Sequence, residues 1–307
     1  MRRYFGVDAS GVGWAHAVNS RAELAAALND PTVHMLEADI LMCSKDLGPS
    51  RRKSSRFVLQ PIMCHPPAKD SDLTFDEFTR TVIASLRGGR KVGLKLDFKQ
   101  AECVAPCLDL LRARGFGQES SSSYSVNAGE FEDVPLWLNA DVVRGPGGRE
   151  PIDGPSFVST CVSTCPHATL SLGWTHTGTP LLGYTHAMAL AMKKLVAPLR
   201  CDVTLAASAA HLFASANPAR AVLIDDVVNG GGVGDARVGG SRERAPGRSF
   251  TLWGPSPGPV TRWIDRELPP EATYVDVKAC NWKEEAVVRL YVYTRPAWAT
   301  LHDARLW

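Results

Sequence analysis

The chain has 307 residues, 45% hydrophobic and 21% charged, with a formal net charge of +2. That length admits one large barrel or two medium domains, and it buries a sizeable core without cross-links. The near-balanced charge excludes a general polybasic coat for nucleic acid or for an anionic membrane surface.

At the N-terminus, Met1-Arg2-Arg3-Tyr4-Phe5 is not followed by the apolar run of a secretory signal. No later stretch approaches the roughly 18 apolar residues of a spanning helix. The expected setting is therefore cytoplasmic or another intracellular compartment, with no stable membrane insertion. A first short strand is predicted over 12–17, carrying His16 near its end. A helix follows over 20–29, opened by Ser20 with Glu23 three residues on, a capping box. Strands follow over 33–40 and 57–64, separated by a polar loop with Arg51, Arg52 and Lys53 and by no helix. Thr74 opens a helix over 74–86 that ends at Gly88-Gly89. Strands over 92–98 and 135–142 flank a helix over 101–114.

The rhythm continues in the second half. Helices are predicted over 155–164, 186–199, 208–215 and 259–268, and strands over 168–173, 202–207 and 250–253. Eight strands, mostly separated by helices, predict an α/β fold of the (β/α)₈ TIM-barrel type. We expect a single domain over 1–307, with the barrel at about 12–268 and an extension over 269–307. In that extension, 274–280 and 286–294 read as an appended β-hairpin. The stretches 115–133, with four consecutive serines, and 229–248, rich in Gly and Arg, read as long surface loops. Cys103/Cys107 and Cys161/Cys165 are spaced i, i+4, which fits buried thiols in a reducing compartment better than a zinc site.

The ionisable residues recur at strand ends. Glu37 and Asp39 lie two apart on the second predicted strand, so their side chains share a face. Lys95 and Asp97 repeat the spacing on the fourth strand, and Asn139 and Asp141 on the fifth. His16 stands near the end of the first strand and His65 follows the third. In a barrel, residues at the C-terminal strand ends converge on one mouth. Buried charges are costly unless paired or metal-bound, so this recurrence points to an acid/base or metal site. Glu37, Asp39 and Asp97 suit a hard divalent cation, Mg²⁺ or Ca²⁺, with Mn²⁺ also admitted. The two histidines suit a general acid and a general base, and Lys95 a phosphate contact.

The segments Trp14-Ala-His-Ala-Val-Asn-Ser20, Leu36-Glu-Ala-Asp-Ile40, Pro61-Ile-Met-Cys-His-Pro-Pro67, Gly93-Leu-Lys-Leu-Asp-Phe-Lys99, Leu136-Trp-Leu-Asn-Ala-Asp141 and Thr169-Leu-Ser-Leu-Gly-Trp-Thr175 occur in this order. Together they resemble the Menorin-like family. That family is in turn similar to glycerophosphodiester phosphodiesterases and to the phospholipase-D-like spider toxins. The resemblance implies His16 and His65 as the catalytic histidines, Glu37, Asp39 and Asp97 as metal carboxylates, and Lys95 beside them. It also brings in Asn19, Asn139, Arg144 and Trp174 as candidate substrate-binding positions. Ala17 and Pro66 stand where glycerophosphodiesterases carry arginine and aspartate, which weakens the transfer of that specificity to this chain.

The implied function is a metal-dependent phosphodiesterase, passing through a cyclic phosphate where the substrate has a neighbouring hydroxyl. RNA and glycerophosphodiester or lysophospholipid types meet that requirement. The basic stretches 51–53 and 242–248 would hold a backbone locally. The alternative is a non-catalytic binding or scaffold protein on an inherited barrel. A sugar-processing barrel with Glu37 and Asp97 as paired carboxylates leaves both histidines without a role.

Overall fold

The computed structural model describes residues 1–49, 55–117, 130–176, 182–229, 247–254 and 258–276. A short helix α1 (Arg2–Phe5) precedes strand β1 (Trp14–Ala15), helix α2 (Arg21–Asn29) and the long strand β2 (Met35–Pro49). Then come β3 (Ser55–Met63), α3 (Phe75–Arg87), β4 (Gly93–Phe98), α4 (Val104–Ala113) and β5 (Leu136–Arg144). The second half runs α5 (Gly154–Thr164), β6 (Thr169–Thr175), α6 (His186–Val196), β7 (Val203–Ser208), α7 (Ala209–Ala214) and α8 (Asn217–Ala221). It closes with β8 (Arg248–Trp253), α9 (Gly258–Glu267) and β9 (Thr273–Asp276).

Neighbours along the sheet are β1-β2-β4-β5-β6-β7-β8-β9, and every one of these pairings is parallel. These eight strands make a nearly closed parallel α/β barrel. The two ends of the path meet at a seam. There His16, just past β1, hydrogen-bonds Asp276 at the end of β9. Below that contact, Trp14 packs on Trp137 at 5.5 Å between ring centroids, and Trp137 meets Tyr274 edge-on at 4.7 Å. Aromatic side chains from β1, β5 and β9 thus form a floor across the barrel.

Two strand assignments change. The predicted third strand is not a barrel stave: β3 runs antiparallel to the outer half of β2, from Ile40↔Met63 onward. Only five residues separate it from the end of β2, too few for the crossover that a parallel pairing needs. The missing stave comes from the predicted extension. Residues Thr273–Asp276 pair in parallel with β8, so the barrel sheet continues past 268, where the extension was expected to begin. The second arm of that hairpin, 286–294, the loop Arg51–Lys53 and most of the two long predicted loops lie outside the described residues. Arg248 does not belong to a loop; it starts β8 and donates to the Cys201 and Leu199 carbonyls.

Helix boundaries follow their caps. The Ser20 hydroxyl accepts from the Glu23 amide and the Thr74 hydroxyl from the Glu77 amide, satisfying amides that open each helix. The face of α3 built from Phe75, Phe78 and Val82 is buried in the same core as Leu94, Leu96 and Phe98 of β4. Period-two alternation then leaves Lys95 and Asp97 of β4 for the barrel interior. Every residue of β4 is buried, the charged pair included. Among the described residues, no helix is long and apolar enough to cross a membrane.

Candidate active site

At the C-terminal ends of the strands lies a cavity of about 170 Å³, lined among others by His16, Glu37, Asp39, His65, Lys95 and Asp97. Asn139 and Asp141 from β5, Lys99 beyond β4, His176 beyond β6 and Trp253 at the end of β8 complete most of its wall. A larger cavity, about 690 Å³, opens at the opposite end, where Arg3, Lys91, Asp133 and Asp202 mix both signs of charge. The convergent carboxylates are at the C-terminal mouth, which is where barrels carry chemistry.

Glu37, Asp39 and Asp97 each present an oxygen within 4.8 Å of the others, and all three are buried. Register explains the convergence: Glu37 pairs with Lys95 and Asp39 with Asp97 across β2 and β4, all on the inward face. Each carboxylate has a fixed partner. The Ala17 amide donates to Glu37 Oε2 at 2.7 Å. Ala17 reaches it with φ at 56°, a left-handed conformation uncommon for a residue with a Cβ and held here by the site around it. Asn19 donates through Nδ2 to Asp39 at 2.7 Å and accepts from the Asp39 amide at 2.9 Å. Ser171 donates to Asn139 Oδ1 at 2.6 Å, and the Asn139 side chain hydrogen-bonds Asp97 in turn. Lys99 Nζ stands between Asp39, 3.0 Å away, and Asp97.

Two cations lie among five carboxylates: Lys95 and Lys99 against Glu37, Asp39, Asp97, Asp141 and Asp276. Burial raises the Glu37 carboxyl, opposed by Lys95. Burial and the nearby Asp97 charge push the Asp141 carboxyl up to about 7. Burial would raise Asp97 as well, but Lys99 and Lys95 outweigh it and hold that carboxyl below the ordinary range. His16 is lowered by burial and raised more by its Asp276 hydrogen bond and the Glu37 and Asp276 charges. A surplus of oxygen donors and negative charge around one point is what a hard divalent cation requires.

Asp141 carries a first prediction. Its folded pKa is raised, so the native state binds the proton more tightly than the unfolded chain. The cost of ionising it is absent below the ordinary value of 3.8 and grows until pH passes about 7. Asp141→Asn should therefore raise thermal stability at pH 8 and leave it nearly unchanged at pH 4. Equal gains at both pH values in paired melting curves would rule this out. Gly173 belongs to the same arrangement, since a Cβ there would stand 2.5 Å from Asp141 Oδ1.

Three of the expected substrate-binding residues, Asn19, Arg144 and Trp174, do not line the cavity. Arg144 is exposed and paired with Glu150. Trp174 is 1% exposed and faces away from the barrel axis, packing on Tyr184 at 4.7 Å and donating to the Met188 carbonyl. Thr169, Ser171 and Gly173 take the inward positions of β6, so Trp174 must point out. Trp174→Ala should cost about 3–5 kcal/mol of stability, whereas Arg144→Ala should leave stability unchanged. Urea titrations of the two variants separate the roles, and a neutral Trp174→Ala would contradict the core placement. Asn19 sits behind Asp39 as its hydrogen-bond partner. Lys99, Asp276, His176 and Trp253 are the site residues that the strand-end pattern missed.

The Menorin N-terminal domain family matches residues 8–230. The chain belongs to the Menorin family. Among its relatives is the human protein FAM151B, 34% identical over 207 residues, covering 66% of this chain and 64% of the human one. The chain therefore spans slightly less than two thirds of that relative's length. This Menorin-family barrel also has a weak likeness to the crystal structure of a Rubisco-like protein from Rhodopseudomonas palustris. The TM-score is 0.45 at 12% identity, over 95% of this chain and 65% of that one, too low to inform its chemistry. The family match ends before β8 and β9, so Trp253 and Asp276 lie outside it.

Proposed function

We propose that the chain is a metal-dependent phosphodiesterase acting on a phosphodiester with a neighbouring hydroxyl, of RNA or of glycerophosphodiester type. The observation that carries this reading is the convergence of Glu37, Asp39 and Asp97 with two histidines from different elements around one cavity. Glu37, Asp39 and Asp97 would hold Mg²⁺, Ca²⁺ or Mn²⁺. Such an ion polarises a phosphoryl oxygen and offsets developing negative charge.

The chain's own groups supply the rest. Phosphoryl transfer moves a proton at the entering oxygen and another at the leaving oxygen. His16 lies at the β1/β9 seam and His65 beyond β3, so they approach the cavity from separate elements. Lys99, beside Asp39 and Asp97, takes the phosphate-contact role expected of Lys95. Lys95 itself is buried and tied to Asp276 at 3.4 Å. With a neighbouring hydroxyl as nucleophile, the product is a cyclic phosphate and the leaving alcohol. Wedged between fixed partners, the carboxylates need little reorganisation on binding.

The test is a screen of the purified chain on RNA oligomers, cyclic phosphates and glycerophosphodiesters, with each divalent cation and with chelator. Metal-dependent release of a cyclic phosphate is expected. Failure to cleave any of them, with the cation shown bound by calorimetry, would favour the binding or scaffold reading.

A further inference from the structure

Asp276 is a buried carboxylate, 2% exposed, at the last described position of the last barrel strand. Both of its oxygens stand 3.1 Å from Nδ1 of His16, 260 residues earlier in the chain. The nearest competitor is Glu37 Oε2 at 3.5 Å, and that oxygen already accepts the Ala17 amide. Lys95 Nζ, 3.4 Å from Asp276 Oδ2, fixes the carboxylate from its other side. We propose that Asp276 is a positioning residue for His16: it holds Nδ1 and sets the tautomer, so that Nε2 is the nitrogen offered to the phosphodiester cleft.

The chemistry follows from the donor inventory. An ionised carboxylate only accepts hydrogen bonds, so in the neutral ring the proton sits on Nδ1 and the lone pair on Nε2. Ring rotation about χ2 would break two contacts at once and leave a buried carboxylate with Lys95 alone. Lys95 lines the cavity and also holds Asp276 in place. The strand Thr273–Asp276 has to close the barrel for this arrangement to exist, which gives the final stave a role besides packing. The kinetic part of this inference rests on the phosphodiesterase reading; the tautomer does not.

The experiment has two arms. In the first, the ring nitrogens of ¹⁵N-histidine-labelled protein are recorded at alkaline pH, with His16→Gln used to assign the His16 signals. The wild type is expected to show the Nδ1–H tautomer, and Asp276→Asn to lose that preference. A wild-type His16 protonated on Nε2 overturns the proposal, whatever the protein's activity. In the second, kinetics are measured on a substrate cleaved by the wild type. Asp276→Asn should lower kcat about 10²-fold with KM within about threefold. The double variant His16→Ala/Asp276→Asn should be no slower than His16→Ala, because the two residues act as one unit. If the two losses multiply, Asp276 is only a tie across the seam and the proposal falls. If the wild type cleaves nothing, the phosphodiesterase reading fails while the spectroscopic arm still decides the role of Asp276.

Discussion

His16→Ala and His65→Ala are each expected to lower phosphodiester turnover by about 10²–10⁴-fold while leaving divalent-cation binding intact. The size follows from what a positioned acid or base contributes, and the independence from metal follows from geometry. Neither histidine belongs to the group formed by Glu37, Asp39 and Asp97. The pH–rate profile should be bell-shaped, since one ring must be neutral and the other protonated. For His16 the sign is set by its surroundings. Burial lowers its pKa, but the Asp276 bond and the Glu37 and Asp276 charges raise it further, so the proton is retained above the ordinary 6.5. The limb of the profile that belongs to His16 should accordingly lie on the alkaline side of that value. A substrate with a very good leaving group should partly rescue the variant lacking the acid and not the one lacking the base. Near wild-type turnover in both single variants would sink the two-histidine mechanism.

Loss of metal binding is the second large effect. Asp39→Asn and Asp97→Asn should each weaken Mg²⁺ or Ca²⁺ binding by at least about tenfold, because each removes a charged oxygen from a buried set of three. Lys99→Met should act in the opposite direction. Its ammonium stands 3.0 Å from Asp39 and against Asp97, where it competes for the same carboxylates. Protons compete as well. Burial raises the Glu37 carboxyl, so binding must expel a proton held more firmly than usual. Affinity should therefore rise with pH across the weakly acidic range, and titration in two buffers of different ionisation heat should show proton release. Identical isotherms for the wild type and both aspartate variants would show that the cation, if any, sits elsewhere.

The positions of Glu37, Asp39, Lys95 and Asp97 were legible because a two-residue spacing on a strand fixes a shared face whatever the topology. The same rule, carried one step further, reaches Lys99, which continues the spacing from Lys95 and Asp97. Applied to β6 it excludes Trp174, since Ser171 and Gly173 already claim the interior. Apolar alternation does not report strand direction, so 57–64 read as a stave although it is the second arm of a hairpin. That miscount hid β9, and with it Asp276. The four-residue run Thr273–Asp276 is too short for its pattern to show that it closes a barrel, and its partner in the site is the first strand. Arg144 and Trp174 entered through resemblance alone, and neither lines the cavity.

The seam between β1 and β9 also bears on how the molecule comes to exist. A hydrogen bond spanning 260 residues cannot form until nearly all of the described chain has been synthesised and the last strand has docked. Until then the sheet has two free edges, at β1 and at whichever strand was made last. An unpaired edge is a template for pairing with another molecule. A fragment limited to the family-matched residues 8–230 would contain both histidines and all three convergent carboxylates, yet its sheet would stop at β7. Such a fragment carries the chemical groups without the closure that orients them, and its exposed edge favours self-association over a soluble monomer.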